Sequence, residues 1–560
     1  MSFVRIISCG FLLLSLISRT GNLAAQPFTH ADTLRGSNGP ARSWWDATHY
    51  DLHVDFDIAG KSISGCNRIS LLARENGNRV QIDLQHPLVI DSILLYNEPP
   101  GIGTGKRITS ISRDGDAWFA ETGPVSKSRR IQLFVYYHGK PREAVNPPWD
   151  GGLIWKKDRN KRPFVSVACQ SLGASCWYPC KDYQGDEPDS AATHFTVPDT
   201  LTALGNGRLR NKAFLPGNRV TYSWAVTVPI NNYNIVPYIG DYRHFGERYQ
   251  GLEGPLDMDY WVLSYNLDAA KKQFTDATRM MKALEYWLGS YPFYADGYKL
   301  VEAPHLGMEH QSAIAYGNYY MKGYMGSDLS GSGWGLKWDY IIVHESGHEW
   351  FGNNITTPDI ADMWVQEGFT TYTETLFTEY FYGKKAGEEY VAGQRSRIEN
   401  DVPVIGPYGV NKEGSGDMYF KGANLLHMIR HIIGDDEKFR RMLNVMGRKF
   451  RHQVVSSATI ESFMTTESGI QLQPLFDQYL RTTDIPVLEY RFRGNVLHYR
   501  FSNCNKDFVM PVKIMLSKGE AKQVCITPTT EWKELKLPAG ITGGYLQVDR
   551  NCYVEVKKTD

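Results

Sequence analysis

The sequence predicts a multidomain α+β protein: a β-rich N-terminal domain, a mainly helical middle domain and a small C-terminal β-sandwich. Length is the first of three observations behind this, since 560 residues is enough for several domains of about 150 residues each. The second is hydrophobic period, which is two from about Tyr50 to Tyr242 and changes to a helical stripe from about Asp268. The third is the return of alternation after Ile485-Pro486.

The elements follow in order. Tyr50-Asp51-Leu52-His53-Val54-Asp55-Phe56 and Ile131 to Tyr137 alternate apolar with polar residues, and Gly, Pro and Asn cut such runs short. This predicts antiparallel strands over residues 26–250. Phe274, Ala277, Met280, Met281, Leu284 and Trp287 then lie on one helical face. Tyr298 to Val301 and Gln311 to Tyr316 read as short strands flanking a Gly-Met-Glu segment. A Gly/Ser-rich loop, Gly326 to Gly335, precedes a helix through Tyr340 to Phe351. Further helices are predicted over Glu367 to Tyr382, Gly422 to Ile433, Glu437 to Arg448 and Ile460 to Ser468, which sets the middle domain at 251–484. Residues 485–560 form the terminal β unit.

The N-terminus reads as an address. Arg5 precedes an apolar run from Ile6 to Ile17, too short to span a bilayer comfortably, and Ala24 and Ala25 offer a cleavage point. Residues 1–25 are therefore expected to be a signal peptide, and the protein to be exported to the periplasm, the cell surface or the medium. No later segment approaches 18 consecutive apolar residues, so no transmembrane segment is expected in the mature chain. The 61 basic and 61 acidic residues cancel, leaving no excess charge to drive binding to nucleic acid. Cys9 falls in the leader, and Cys66, Cys169, Cys176, Cys180, Cys504, Cys525 and Cys552 are too sparse for a disulfide scaffold. Cys504 with Cys525, or Cys176 with Cys180, are the pairings considered.

Chemistry concentrates in His344-Glu345-Ser346-Gly347-His348. On a helix, residues four apart differ by about 40° in angle and one turn in rise, so both imidazoles face one point and can share a metal ion. Glu345 stands beside the first ligand, placed to take a proton from an attacking water. Catalytic zinc commonly takes three protein ligands. Eighteen residues after His348 comes Glu367, in Trp364-Val365-Gln366-Glu367-Gly368-Phe369, where a helix-turn-helix brings its carboxylate back to the two histidines. The metzincin arrangement fails, because Phe351 and Asn354 stand where it requires Gly and His. The expected ligands of one zinc per chain are thus His344, His348 and Glu367.

These motifs resemble the gluzincin aminopeptidases, the aminopeptidase N and leukotriene hydrolase family. Tyr50 to Gly65, Cys169-Gln170 to Pro179-Cys180, Gly307-Met308-Glu309-His310 and Tyr419-Phe420-Lys421-Gly422-Ala423 match family segments in the same order. Leu306 and His310 depart from the usual Gly and Asn of the Gly-x-Met-Glu-Asn segment. The resemblance implies a saddle-like β domain, a thermolysin-like catalytic domain and a relatively open cleft. It also implies a zinc aminopeptidase acting on peptides with a free amino terminus, which the expected leader would make a secreted one. In that scheme Glu345 is the general base, Tyr419 donates a hydrogen bond to the oxyanion, and Glu309 and Gln170 bind the substrate ammonium. Asp362 and Glu374 are each placed in sequence to orient a ligand histidine, whereas His305, His427 and His431 are not expected to be ligands. A zinc endopeptidase, an epoxide hydrolase of the leukotriene type and a non-catalytic binding module are the rival readings.

Overall fold

The computed structural model describes residues 28–97, 105–517, 523–537 and 544–560, so the expected leader at 1–25 lies outside the described residues. Trp45–Asp57 forms the spine of an eight-stranded sheet. Its strict alternation turns Tyr50, Leu52, Val54 and Phe56 into the core and leaves Asp51, His53 and Asp55 on the other face. It pairs antiparallel with Ser62–Ala73 and parallel with Ala191–Pro198. A four-stranded sheet, which includes Gly152–Lys157 and Pro163–Ala168, shares its apolar core, as does a three-stranded sheet that includes Gly77–Asp83. Gln170 lies two residues beyond the end of the strand Pro163–Ala168.

The next region opens with a five-stranded sheet. Tyr242–Gly251 and Gly254–Leu263 form a hairpin, followed in space by Tyr298–Glu302, Ile314–Tyr316 and Gly307–Met308. Gly307–Met308 is itself an edge strand, antiparallel to Ile314–Tyr316, and it presents Glu309 at its end. Helices then dominate. The expected helix from Asp268 to Leu288 is broken at Phe274 into Leu267–Gln273 and Thr275–Leu288. Tyr340–Gly347 and Trp364–Tyr382 carry the zinc-ligand motif, while Phe420–Ile433, Asp436–Lys449 and Ser457–Ser468 match the later helical patterns closely. Lys384–Gly393 and Gln473–Arg481 are additional helices.

The C-terminal strands form a four-stranded and a three-stranded sheet, and their apolar residues join the core of the helical region. The Tyr479 hydroxyl donates to the Tyr553 carbonyl across that contact at 2.6 Å. No disulfide links the described cysteines, which corrects the pairings considered above. Cys504 follows a strand of one terminal sheet while Cys525 lies on the other, and the Cys180 backbone is committed to a bridge with Asp83. Among the described residues, no helix is long and apolar enough to cross a membrane.

Candidate metal centre and active site

The helix Tyr340–Gly347 starts on Asp339, whose carboxylate caps the backbone N–H groups of Ile341 and Ile342. Gln273, Tyr316 and Asn318 donate to the same carboxylate, anchoring the helix start in the sheet. His344 and Glu345 lie on this helix and His348 is its C-terminal capping residue, still in right-handed helical conformation. The chain then turns through Gly352, and Glu367 returns in the first turn of Trp364–Tyr382. His344, His348 and Glu367 are all buried, and their donor atoms lie within 4.8 Å of one another. Glu367 Oε2 is 3.2 Å from His348 Nε2 and 3.7 Å from His344 Nε2. Four-coordinate zinc with bonds of about 2.0–2.1 Å separates its donors by roughly 3.3 Å. Glu367 Oε2 is buried without a hydrogen-bond partner, a costly position that a shared cation relieves. The residues therefore fit a zinc ion.

Outer contacts fix the ligand orientations. His344 Nδ1 is 2.7 Å from Glu374 Oε1, and His348 Nδ1 is 3.0 Å from the Phe351 carbonyl, which leaves both Nε2 atoms for the metal. Glu374 is in turn held by Tyr390 and Gln394. Asp362 serves another purpose, accepting from the Ser457 backbone at a helix start and from the Tyr408 hydroxyl. Of the two carboxylates considered in sequence, Glu374 is the one that meets a ligand. Glu374→Gln should weaken zinc affinity by about 10- to 100-fold while the protein stays folded, as measured by competition against a chromophoric chelator. Unchanged affinity would refute the orienting role.

Electrostatics agree with this arrangement. Burial disfavours the charged forms of both histidines, yet the surrounding carboxylates hold His344 well above its ordinary pKa and His348 at about 9. Burial would raise Glu367, but His348 and His344 keep it well below the usual carboxylate range. Burial pushes Glu345 up to about 7, near the value that suits a general base. Glu345 packs against the Gly307–Met308 edge strand, where a side chain on Gly307 would come 2.7 Å from Glu345 Oε1.

Tyr419 reaches the site because two helices approach closely. A Cβ on Gly368 would lie 3.0 Å from the Met418 carbonyl and 3.2 Å from Gly422 Cα, so glycine at this crossing lets the start of Phe420–Ile433 come up beside Glu367. The Tyr419 ring stacks near His344, with centroids 6.1 Å apart. Burial and the nearby Glu367 and Glu309 push its pKa well above the ordinary value, so the phenol keeps its proton to donate. Losing one such oxyanion donor typically costs about 100- to 1,000-fold in turnover. Tyr419→Phe should show that loss with zinc content and melting temperature unchanged, and a variant retaining half the wild-type rate would remove Tyr419 from the chemistry.

Glu309, Glu345 and His348 also bring donor atoms within 4.8 Å of one another. The Tyr233 hydroxyl donates to Glu309 Oε1 at 2.9 Å, and Asn353 holds the Glu309 carbonyl. Gln170 Nε2 donates to Glu367 Oε1 at 3.3 Å, so the β-rich region reaches the metal centre. All seven expected site residues line one cleft of about 550 Å³. Of the two motif departures, Leu306 lines the cleft, whereas His310 turns away to the Tyr238 hydroxyl at 2.6 Å. His305 meets Ser166, and His427 sits between Tyr372 and Asn551, so neither approaches the metal donors. The sequence reading missed Tyr233, which has no motif of its own, and Glu413, a half-buried carboxylate on the cleft wall hydrogen-bonded by Ser171.

Fold and site together define a zinc metallopeptidase architecture with an H-E-x-x-H helix and a glutamate third ligand. Residues 266–479 match the Peptidase family M1 domain. Among relatives, Tricorn protease-interacting factor F2 of Thermoplasma volcanium is 22% identical over 520 residues, covering 89% of this chain and 62% of its own. Leukotriene A-4 hydrolase of Xenopus laevis is 23% identical over 446 residues, 74% of this chain and 67% of its own. The chain thus spans less than two thirds of the length of factor F2. The M1 zinc metallopeptidase of Deinococcus radiodurans has the same fold, with a TM-score of 0.67 and 20% identity over 80% of this chain and 96% of its own.

Proposed function

We propose that the protein is an exported zinc aminopeptidase that removes residues from peptides with a free amino terminus. The observation that carries this reading is Glu309, buried at the end of an edge strand beside His348 and Glu345. A buried carboxylate beside the metal ligands, with one oxygen satisfied by Tyr233, suits a substrate ammonium, because such a pair is charge-assisted. Gln170 adds an amide from the opposite wall. A Deinococcus radiodurans M1 zinc metallopeptidase has been solved with Tyr-Ser-Ala substrate bound, the type of ligand such a site would take.

Zinc between His344, His348 and Glu367 would supply Lewis-acid polarisation of the scissile carbonyl and acidify water. The chain's own residues do the rest. Glu309 and Gln170 hold the terminal ammonium, which sets the first peptide bond at the centre. Glu345 takes the proton of the attacking water and returns it to the leaving amine. Tyr419 donates its phenolic hydrogen to the oxyanion. Export rests on Arg5, the Ile6–Ile17 run and the cleavage point at Ala24 and Ala25.

Matched peptides with free and acetylated amino termini provide the test, with products followed by mass spectrometry. Free peptides should lose residues one at a time, and acetylated ones should be essentially inert, because they leave Glu309 desolvated and unpaired. Glu309→Ala should lower activity on free termini by about 3–5 kcal/mol without removing zinc. Internal cleavage of the acetylated peptide at a comparable rate would make the enzyme an endopeptidase.

A further inference from the structure

The short helix His30–Gly36, ahead of the first strand, takes no part in the sheets, yet it reaches the substrate loop. Its end is fixed by Arg42, whose buried guanidinium donates to the carbonyls of Leu34, Arg35 and Ser37 at 2.9–3.0 Å. Arg42 is also paired with buried Asp83 on the strand Gly77–Asp83, which ties the helix to the β-rich region. On its other side the helix meets the loop that leads to Tyr419. The Asn411 N–H donates to the Asp32 carbonyl at 3.0 Å, and a Cβ on Gly36 would fall 2.1 Å from the Val410 carbonyl carbon.

From this platform Arg35 extends to Ser171 and donates to its carbonyl at 2.8 Å. Asn411 Nδ2 donates to the same carbonyl at 3.3 Å, and the Ser171 hydroxyl donates to Glu413. Two segments distant from the loop therefore hold both the carbonyl and the hydroxyl of one residue. The backbone of Ser171 explains why it needs holding. The Leu172 N–H donates to the Gln170 carbonyl at 2.6 Å, closing a three-residue turn around Ser171, whose φ is +60°. A γ-turn of this hand is rare and strained, and it persists only where the surroundings over-determine it. Between Cys169 and Cys180, Ser171 is the only non-glycine residue with positive φ.

The strain falls next to the residue that matters. Gln170 opens the turn, lines the cleft and donates to Glu367 Oε1 at 3.3 Å. If Ser171 relaxed to an ordinary φ, the backbone carrying the Gln170 amide would turn away from the metal centre. Arg35 does not line the cleft itself, so it can act on the reaction only through this loop.

We propose that Arg35, assisted by Asn411 and Glu413, is a positioning residue that holds the strained turn at Ser171 and so aims the Gln170 amide at the substrate ammonium. The helix His30–Gly36 is then part of the working site, although Arg35 precedes Ser171 by 136 residues. The inference rests on the reading of Gln170 as an ammonium ligand given above, and its test separates the two.

The experiment is a double-mutant cycle on the full-length zinc-loaded chain, with steady-state kinetics on a peptide with a free amino terminus. Arg35→Ala should raise KM about tenfold and leave kcat within about twofold, because the lost contact serves binding. In a Gln170→Ala background the same substitution should change KM by less than about twofold, because its effect passes through the missing amide. Arg35→Lys keeps a charged donor for the Ser171 carbonyl and should recover most of the loss. If Arg35→Ala does not fold, Ser171→Gly takes its place in the cycle, since glycine accepts this φ without strain while the hold of Glu413 on the turn is lost. An unchanged KM in Arg35→Ala, or full additivity with Gln170→Ala, overturns the proposal and leaves Arg35 as a structural contact. An unchanged KM in Gln170→Ala overturns the ammonium reading and this inference together.

Discussion

Glu345→Gln should keep the catalytic zinc and lower turnover by about 100- to 10,000-fold, or about 2.7–5.5 kcal/mol in the barrier. The substitution conserves shape, so the side chain should still pack against Gly307 and the helix Tyr340–Gly347 should be undisturbed. What disappears is a carboxylate that burial has raised to about 7, able to accept a proton and to give it back near neutral pH. An amide does neither. Zinc content, melting temperature and turnover on the same preparation make the measurement. A Gln variant within about tenfold of wild type, a loss of about 1.4 kcal/mol, would show that another group moves the proton.

His348→Ala should abolish activity by a different route. It deletes a metal donor 3.2 Å from Glu367 Oε2, and the cation lost with it would leave a pocket that also holds Glu309 and Glu345 without its counter-charge. Three buried carboxylates then face one another with less compensation, the case in which removing one partner typically costs about 3–5 kcal/mol. Chelator-stripped wild type should regain hydrolysis when zinc is returned, whereas the variant should not. Hydrolysis by stripped wild type at the untreated rate would sink the zinc mechanism altogether.

The two predictions differ in how legible their residues are in sequence. His344, Glu345 and His348 are local, since helical geometry alone puts residues four apart on one face. Glu367 is less local, because the short strand Ile355–Thr356 and a 3-10 turn at Ile360–Asp362 lie between the two helices. Glu309 and Gln170 were legible only through resemblance to a family, because a strand end and a loop meet at the metal centre by sheet packing. Between Asp362 and Glu374 the sequence offered no basis for choice. Both lie near Glu367 in the chain, but Glu374 is two turns further along its helix and faces His344, while Asp362 precedes the helix and faces Ser457.

Disulfides and helix ends show the same division. Cys504 with Cys525 was one pairing considered, yet Cys504 follows a strand of one terminal sheet and Cys525 lies on the other. The break at Phe274 interrupts a continuous apolar stripe, and its ring packs among Tyr260, Tyr316 and Tyr320, contacts that periodicity does not record.

By itself, the sequence determined the order of β-rich, helical and β segments, the paired histidines His344 and His348 with Glu345 beside them, and the neutral overall charge. Each depends on neighbours within about one or two turns, or on composition, and short-range periodicity encodes both. Tertiary structure alone decided the close helix crossing at Gly368 and Gly422 that delivers Tyr419, the Tyr233 contact to Glu309, and the meeting of His53 with His194. These are contacts between segments distant in the chain, set by strand register and by how closely two backbones can approach. A one-residue slip of register would turn His194 into the core and part it from His53 without altering the hydrophobic pattern of either strand.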